Sequence, residues 1–152
     1  MRDVRLRESI PFAIGQLFRR MTRVHNRALK PFNVSGMQAG ILVYLWLEGA
    51  RNLGELQRGL AVGSSTLTGA IDRMEKANLI RRMPVPGDRR AFRVEPLAWS
   101  PQQLEQLGAR LLETEQQCFA ELTAAEKKEL LRLVHKALSC VEKVDDGEEE
   151  RD

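Results

Sequence analysis

Aromatic residues make up only 5% of this 152-residue sequence, with a single tyrosine, while Leu, Ala, Glu, Gln and Arg abound. That balance favours helix over other structure. Two cysteines, Cys118 and Cys140, are too few for a disulfide framework and lack the spacing of metal ligands. No stretch approaches the roughly 18 uncharged apolar residues that a membrane span needs, so an integral membrane protein is excluded. The N-terminal MRDVRLRESI has neither a long apolar core nor a small-residue cleavage site. Secretion is therefore not expected, and a reduced, cytoplasmic protein is. HExxH, Walker and GxGxxG patterns are missing as well. His25 and His135 lie far apart without a nucleophile motif, and carboxylate pairs such as Glu113/Glu115 suit a solvated helix face. An enzyme, a metal site or a bound cofactor is not expected.

The apolar fraction is 43%, enough for a sizeable core in a chain of one-domain length. Charge is uneven. The last eight residues, DDGEEERD, hold six acids and one arginine, so residues 1–144 carry +8 although the whole chain carries +3. Between residues 73 and 93, Arg73, Lys76, Arg81, Arg82, Arg89, Arg90 and Arg93 face only Glu75 and Asp88, a local net of +5. A cluster of that kind suits a polyanionic partner. The acidic segment 145–152 has the composition of a disordered tail.

Hydrophobic spacing predicts a first helix from about Ser9 to Lys30, with apolar residues at 10, 14, 17, 18, 21, 24 and 28 and arginines at 19, 20, 23 and 27. Pro31 ends it. Four later starts share a polar cap followed three residues on by Glu or Gln, the two halves of a capping box. Ser35 with Gln38 opens helix 2, which runs to about Glu48–Gly49, and Asn52 with Glu55 opens a short helix 3. Ser100 with Gln103 opens helix 5, and Thr123 with Glu126 opens helix 6, which reaches about Val144. Gly63 is expected to take a positive φ in the tight Ala61-Val62-Gly63 connection, with Ser64 or Gly63 capping helix 4. Helix 4 ends near Ala77, and Asn78 takes a left-handed cap. Leu79–Met83 and Ala91–Leu97 read as two strands around a Pro84–Asp88 turn, Phe92 and Val94 pointing one way and Arg93 and Glu95 the other. The fold class is mainly α with a small two-stranded β wing, a winged helix-turn-helix.

In helix 4, Leu67, Ala70, Ile71 and Met74 cluster on one side and should pack on helices 2 and 3. The opposite face is centred on Ser65, Gly69, Asp72 and Lys76, flanked by Thr66, Thr68 and Arg73. Hydroxyls at the helix start, including Ser64, suit base edges in a major groove about 12 Å wide, and the threonine methyls suit thymine. Arg73 and Lys76 suit phosphates, which fix register without reading sequence. The amides beside Ser35 and Gln38 at the start of helix 2 offer another phosphate contact. Arg89 and Arg90 at the wing tip suit a narrow minor groove, with Asp88 bracing one guanidinium. The expected partner is double-stranded DNA; the alternative is a winged-helix protein–protein interaction module without DNA binding.

The runs VSGMQAGILVYL, LGELQRGLAVGSSTLTGAIDRMEKANLIRR and PGDRRAFRV resemble the MarR family of transcriptional regulators. Asp88-Arg89-Arg90 fits that family's Asp-x-Arg wing motif, and the likeness extends over about residues 9–143. Two positions depart from the family: Asn78 stands where a glycine is usual, and Leu97-Ala98-Trp99-Ser100-Pro101 replaces a Leu-Thr-x-x-Gly turn. The resemblance implies a DNA-binding domain over residues 34–99. It also implies a homodimer built from residues 1–33 and 100–144, in which helices 1, 5 and 6 of two copies interlock. Apolar residues on helix 5 (Leu104, Leu107, Leu111, Leu112) and helix 6 (Leu130, Val134, Leu138, Val141) exceed what a small winged-helix core can cover. The same resemblance implies a repressor released by a small aromatic or anionic effector, in a crevice around Phe18, Met21, His25 and Trp46. The family's peroxide sensors carry a cysteine near the start of helix 1, which is absent here, so Cys118 and Cys140 are expected to be buried, inert thiols.

Overall fold

A computed structural model describes residues 4–149 apart from Ala98, and the side chains at 4, 5, 88–90 and 145–149 lie outside the described residues. The elements are a 3-10 turn (Val4–Glu8), α1 (Ile10–Ala28), a second 3-10 turn (Lys30–Phe32), α2 (Gly36–Glu48), α3 (Leu53–Leu60), α4 (Ser64–Lys76), β1 (Ile80–Val85), β2 (Asp88–Pro96), α5 (Pro101–Cys118) and α6 (Ala124–Glu149). Among the described residues no helix is long and apolar enough to cross a membrane.

Helix starts follow the local sequence closely. In all four capping boxes the cap side chain accepts from the backbone N–H three residues on, and that residue's side chain accepts in return from the cap N–H. Each satisfies two of the amides that a helix start leaves orphaned. Ser9 caps α1, and Pro11 falls in its first turn, where a missing N–H costs nothing. α1 stops at Ala28 rather than Lys30, because Lys30-Pro31-Phe32 forms a 3-10 turn that closes on left-handed Asn33 (φ 55). α6 continues as backbone to Glu149, beyond the expected end at Val144 and into the segment expected to be disordered. Extending an existing helix needs no new nucleus, so a weakly helical sequence can be carried along; residues 150–152 lie outside the described residues.

The chain divides into two compact units, residues 1–114 and 115–152. In the first, one core takes Ile41, Leu42 and Leu45 from α2, Leu56 from α3, Leu67, Ile71 and Met74 from α4, Ile80 and Val94 from the strands, and Leu104 and Leu107 from α5. Leu29, just past α1, is fully buried with them. The end of α1 and the first half of α5 therefore share the winged-helix core. In the second unit every described residue of Ala124–Val144 is exposed, including Leu130, Val134, Leu138 and Val141 along one stripe. This corrects the expectation of buried thiols: Cys140 is exposed because α6 has no face covered within its own unit, and Cys118, the last residue of α5, is half-buried.

The hairpin is antiparallel, with Arg81 opposite Glu95 and Arg82 opposite Val94, and its register slips between Pro84 and Val85. The strands are longer than expected and the turn shorter, Pro86-Gly87, with Gly87 at φ +87. Proline followed by a residue at positive φ is the signature of a tight two-residue turn. A bridge unmarked in the sequence pattern adds a third short edge: Arg51 and Val94 exchange both backbone hydrogen bonds, at 3.2 and 2.8 Å.

Candidate nucleic-acid interface

The tight connection into α4 is built differently from the expectation. Ala61, not Gly63, takes the left-handed conformation (φ 49). It closes α3, and the next amide, Val62 N–H, donates back to the Gln57 carbonyl at 3.2 Å. Gly63 sits at φ −58, ψ 144 as the N-cap of α4, a conformation open to any residue, and no side chain caps the helix. α4 is thus unlike the four boxed helices, because its first-turn amides have no side-chain acceptor. Ser64, Ser65, Thr66 and Thr68 are exposed, and their hydroxyls bond no other described residue.

Leu67, Ala70, Ile71 and Met74 are the buried side of α4, as the spacing predicts. The opposite side divides in two. Ser65 and Lys76, flanked by Thr66 and Arg73, remain open to solvent, with Gly69 half-buried between them. Asp72, expected at the centre of that face, turns instead toward the base of the wing, because β1 runs alongside that flank of the helix. There the Arg82 guanidinium pairs with Asp72 and, at 3.1 Å, with Glu75, while stacking 4.7 Å from the Phe92 ring centroid. Arg82 ties α4, β1 and β2 together, and its buried Nε has no partner among the described residues. Arg81 is likewise taken up by Glu95 across the strands. Two of the seven cations between residues 73 and 93 therefore serve the fold. Arg73, Lys76 and Arg93 are exposed and form no ion pair with another described residue. Asp88, Arg89 and Arg90 lie on the β2 backbone at the hairpin tip, and their side chains lie outside the described residues.

Gly69 faces a different situation from Gly59. A Cβ on Gly59 would lie 2.1 Å from the Tyr44 hydroxyl, so packing inside the chain demands that glycine. At Gly69 the nearest atom is the end of the flexible Arg73 side chain, at 3.3 Å. The chain itself sets no strong demand for glycine at that point of the open face.

At the start of α2 the Ser35 and Gln38 side chains are committed to each other, and the Gly36 amide donates to Asn26 Oδ1 at 2.7 Å. Among the described residues, only the Met37 amide of that turn remains for an outside acceptor. Beneath α1 lies a cavity of about 540 Å³, walled by Phe18, Thr22 and His25, by Gly36, Met37, Gly40 and Ile41 of α2, by the Leu60–Val62 turn, and by Leu67 and Leu111. Of the expected crevice residues, Phe18 and His25 line it and Met21 and Trp46 do not. Trp46 is nine residues beyond Met37, half a turn round the helix, and its ring reaches Gly108 of α5 instead.

A model of the MarR family matches residues 35–92. The uncharacterized HTH-type transcriptional regulator YsmB of Bacillus subtilis is 30% identical over 112 residues, covering 71% of this chain and 73% of that protein. The chain belongs to the MarR family. A second relative, the HTH-type transcriptional regulator PecS of Dickeya dadantii, is 32% identical over 76 residues. That alignment takes in 48% of this chain and 46% of PecS, less than half of PecS's own length. Among solved structures, a cysteine-to-serine variant of E. coli MarR complexed with operator DNA has a TM-score of 0.76 at 26% identity. The match spans 87% of this chain and 96% of that one. The MarR-family winged helix is thus shared from the helix-turn-helix through the wing. What the sequence pattern left out is the Arg82 brace: an arginine in a basic run looks like a ligand contact until its carboxylate partners, ten and seven residues upstream, are brought beside it.

Proposed function

We propose that the protein is a homodimeric regulator, a repressor, that reads a pseudo-palindromic operator with α4 in the major groove and the wing in the minor groove. The observation that carries this reading is the open face of α4: four unbonded hydroxyls at its start, trailing cations at Arg73 and Lys76, and a first turn without a capping side chain. Free amides at a helix start attract phosphate, and the hydroxyls are free to meet base edges. In this reading Arg89 and Arg90, at the hairpin tip of β2, supply the minor-groove contact, because narrow A·T-rich tracts attract guanidinium. The E. coli MarR structure with similar fold was solved with operator DNA. The exposed apolar stripes of α1 (Ile10, Ile14, Leu17, Val24) and α6 (Leu130, Val134, Leu138, Val141) supply the dimer contact. A two-fold dimer sets its two reading helices about 34–36 Å apart, one turn of DNA. Release comes from a small effector in the cavity beneath α1.

Binding to duplex fragments, followed by mobility shift or fluorescence anisotropy across a salt series, tests the reading. Affinity should fall on the order of 10³-fold between roughly 50 and 200 mM salt, as expected when several phosphates are neutralised. Arg89→Ala and Arg90→Ala should each weaken the complex by about 1–3 kcal/mol. A monomer that ignores duplex DNA even at low salt overturns it and leaves a protein-binding module.

A further inference from the structure

We infer that Arg73 reads a guanine from the centre of the open α4 face, its guanidinium seated in the notch that Gly69 leaves. The inference rests on the DNA-reading proposal above and deepens it: Arg73, which spacing alone assigns to phosphate, moves to a base edge.

Position comes first. Long helical side chains lean toward the helix start, so residue i+4 reaches back over residue i. Arg73 does this: its Nη1 lies 3.3 Å from where a Cβ on Gly69 would stand, and it is the nearest atom to that point. The guanidinium is therefore displaced one turn, roughly 6 Å, toward the start of α4 from its own backbone. The positions three and four residues before Gly69 are Thr66 and Ser65, whose side chains are exposed. Glycine in mid-helix costs stability relative to alanine. In contrast to Gly59 against Tyr44, no packing elsewhere in the chain calls for it. What Gly69 leaves is a bed for the Arg73 fork.

Charge comes second. Asp72 and Glu75 are the only acids of α4, and Arg82 takes both. At position 69, from which a glutamate would pair with Arg73 four residues on, there is no side chain. Arg73 is exposed and bonds no other described residue. Its charge and its five N–H donors are all free for a partner.

The groove decides between phosphate and base. When a helix enters the major groove, its flanks meet the phosphates and the centre of its exposed face meets the base edges. A fork lying back over Gly69 is at that centre, and the missing Cβ lets the helix backbone come close to the base pair. Guanine presents two acceptors side by side, O6 and N7, which match two N–H donors of one guanidinium. Adenine sets a donor beside its N7 and repels the second N–H. Phosphate is served equally by a lysine ammonium; the planar fork is what guanine requires.

Selection of duplexes from a randomised pool, followed by anisotropy on the selected site, tests this on the full chain. The parent should select a G·C pair at a fixed position of the site. Arg73→Lys, which keeps the charge, should lose that preference while retaining the salt dependence of binding. Replacing the selected guanine by 7-deazaguanine, which lacks the N7 acceptor, should weaken the parent on the order of tenfold and leave Arg73→Lys nearly unchanged. Gly69→Leu, which fills the notch while improving helix propensity, should also lose the guanine preference, with a melting temperature at or above the parent's. The inference is overturned if Arg73→Lys keeps the parent's preference at every position, or if the parent tolerates 7-deazaguanine at every guanine of the site. Guanine selection that survives Gly69→Leu, or a lower melting temperature in that variant, overturns the role of the notch. A parent that binds no duplex even at low salt overturns the regulator reading itself, whereas duplex binding with preferences unchanged in Arg73→Lys overturns this inference alone.

Discussion

Helices α2 and α4 are both thirteen residues long and both bury four side chains, yet they are built for different ends. α2 is apolar nearly all round, with a full capping box, and it is held between α1, α3, α4 and the wing. α4 is polar over half its circumference, starts on a glycine with no capping side chain, and leaves its first-turn hydroxyls without partners among the described residues. A helix satisfied on every side contributes stability. One left unsatisfied at its start and on one face has surplus hydrogen-bonding capacity, and an anionic, groove-shaped partner can use it.

The largest expected effect tests the half that the two helices share. Leu42→Ala in α2 and Ile71→Ala in α4, both fully buried, should each cost about 2–5 kcal/mol in denaturant unfolding. A loss below about 1 kcal/mol in either would mean that the two buried faces are not equivalent. Next comes the brace that binds α4 to the wing. Arg82→Ala should cost about 1–2 kcal/mol of stability, since it removes two partly exposed ion pairs and a ring contact. Duplex affinity should fall more than stability does, because Asp72 and Glu75 are left as uncompensated negative charges beside the proposed DNA path. A variant that lost stability but kept full affinity would reduce Arg82 to a packing role.

The difference between the helices is sharpened by their starts. Ser35→Ala should cost about 1 kcal/mol through loss of its cap. Ser65→Ala and Thr66→Ala should stay within about 0.5 kcal/mol of the parent in stability while changing preference among duplex sequences. A uniform loss across all sequences would move those hydroxyls from base reading to phosphate contact. The smallest effect belongs to α6. Glu126 is held below its ordinary value by hydrogen bonds from the Thr123 backbone N–H and then from its hydroxyl. A depressed carboxylate stabilises above its unfolded value and loses that contribution as pH falls through its folded value. Helical circular dichroism should therefore decline slightly more on acidification in the parent than in Glu126→Gln.

Local rules carried much of the reading. The four capping boxes, the buried side of α4 and left-handed Asn78 depend on residues within a few positions of one another, and each lies where the pattern puts it. Boundaries shifted where distant groups intervened. The second strand begins at Asp88 rather than Ala91 because pairing across the hairpin extends past the proline-rich turn. The positive φ moved from Gly63 to Ala61 because closing α3 outweighed the conformational freedom of glycine two residues later. Composition counted Arg81 and Arg82 with the ligand-facing cations, since charge alone does not tell a cation bound to its own fold from one offered to a partner.

From its residues alone the chain determines a mainly helical winged helix-turn-helix, because propensity, capping and hydrophobic period act over one or two turns and need no knowledge of the rest. Tertiary structure decided which cations remain available, that Asp72 belongs to the wing, that Trp46 turns away from the cavity, and that Gly40 stands beside open space. Each of these depends on elements far apart in sequence coming within a few ångströms, a distance that no local pattern encodes.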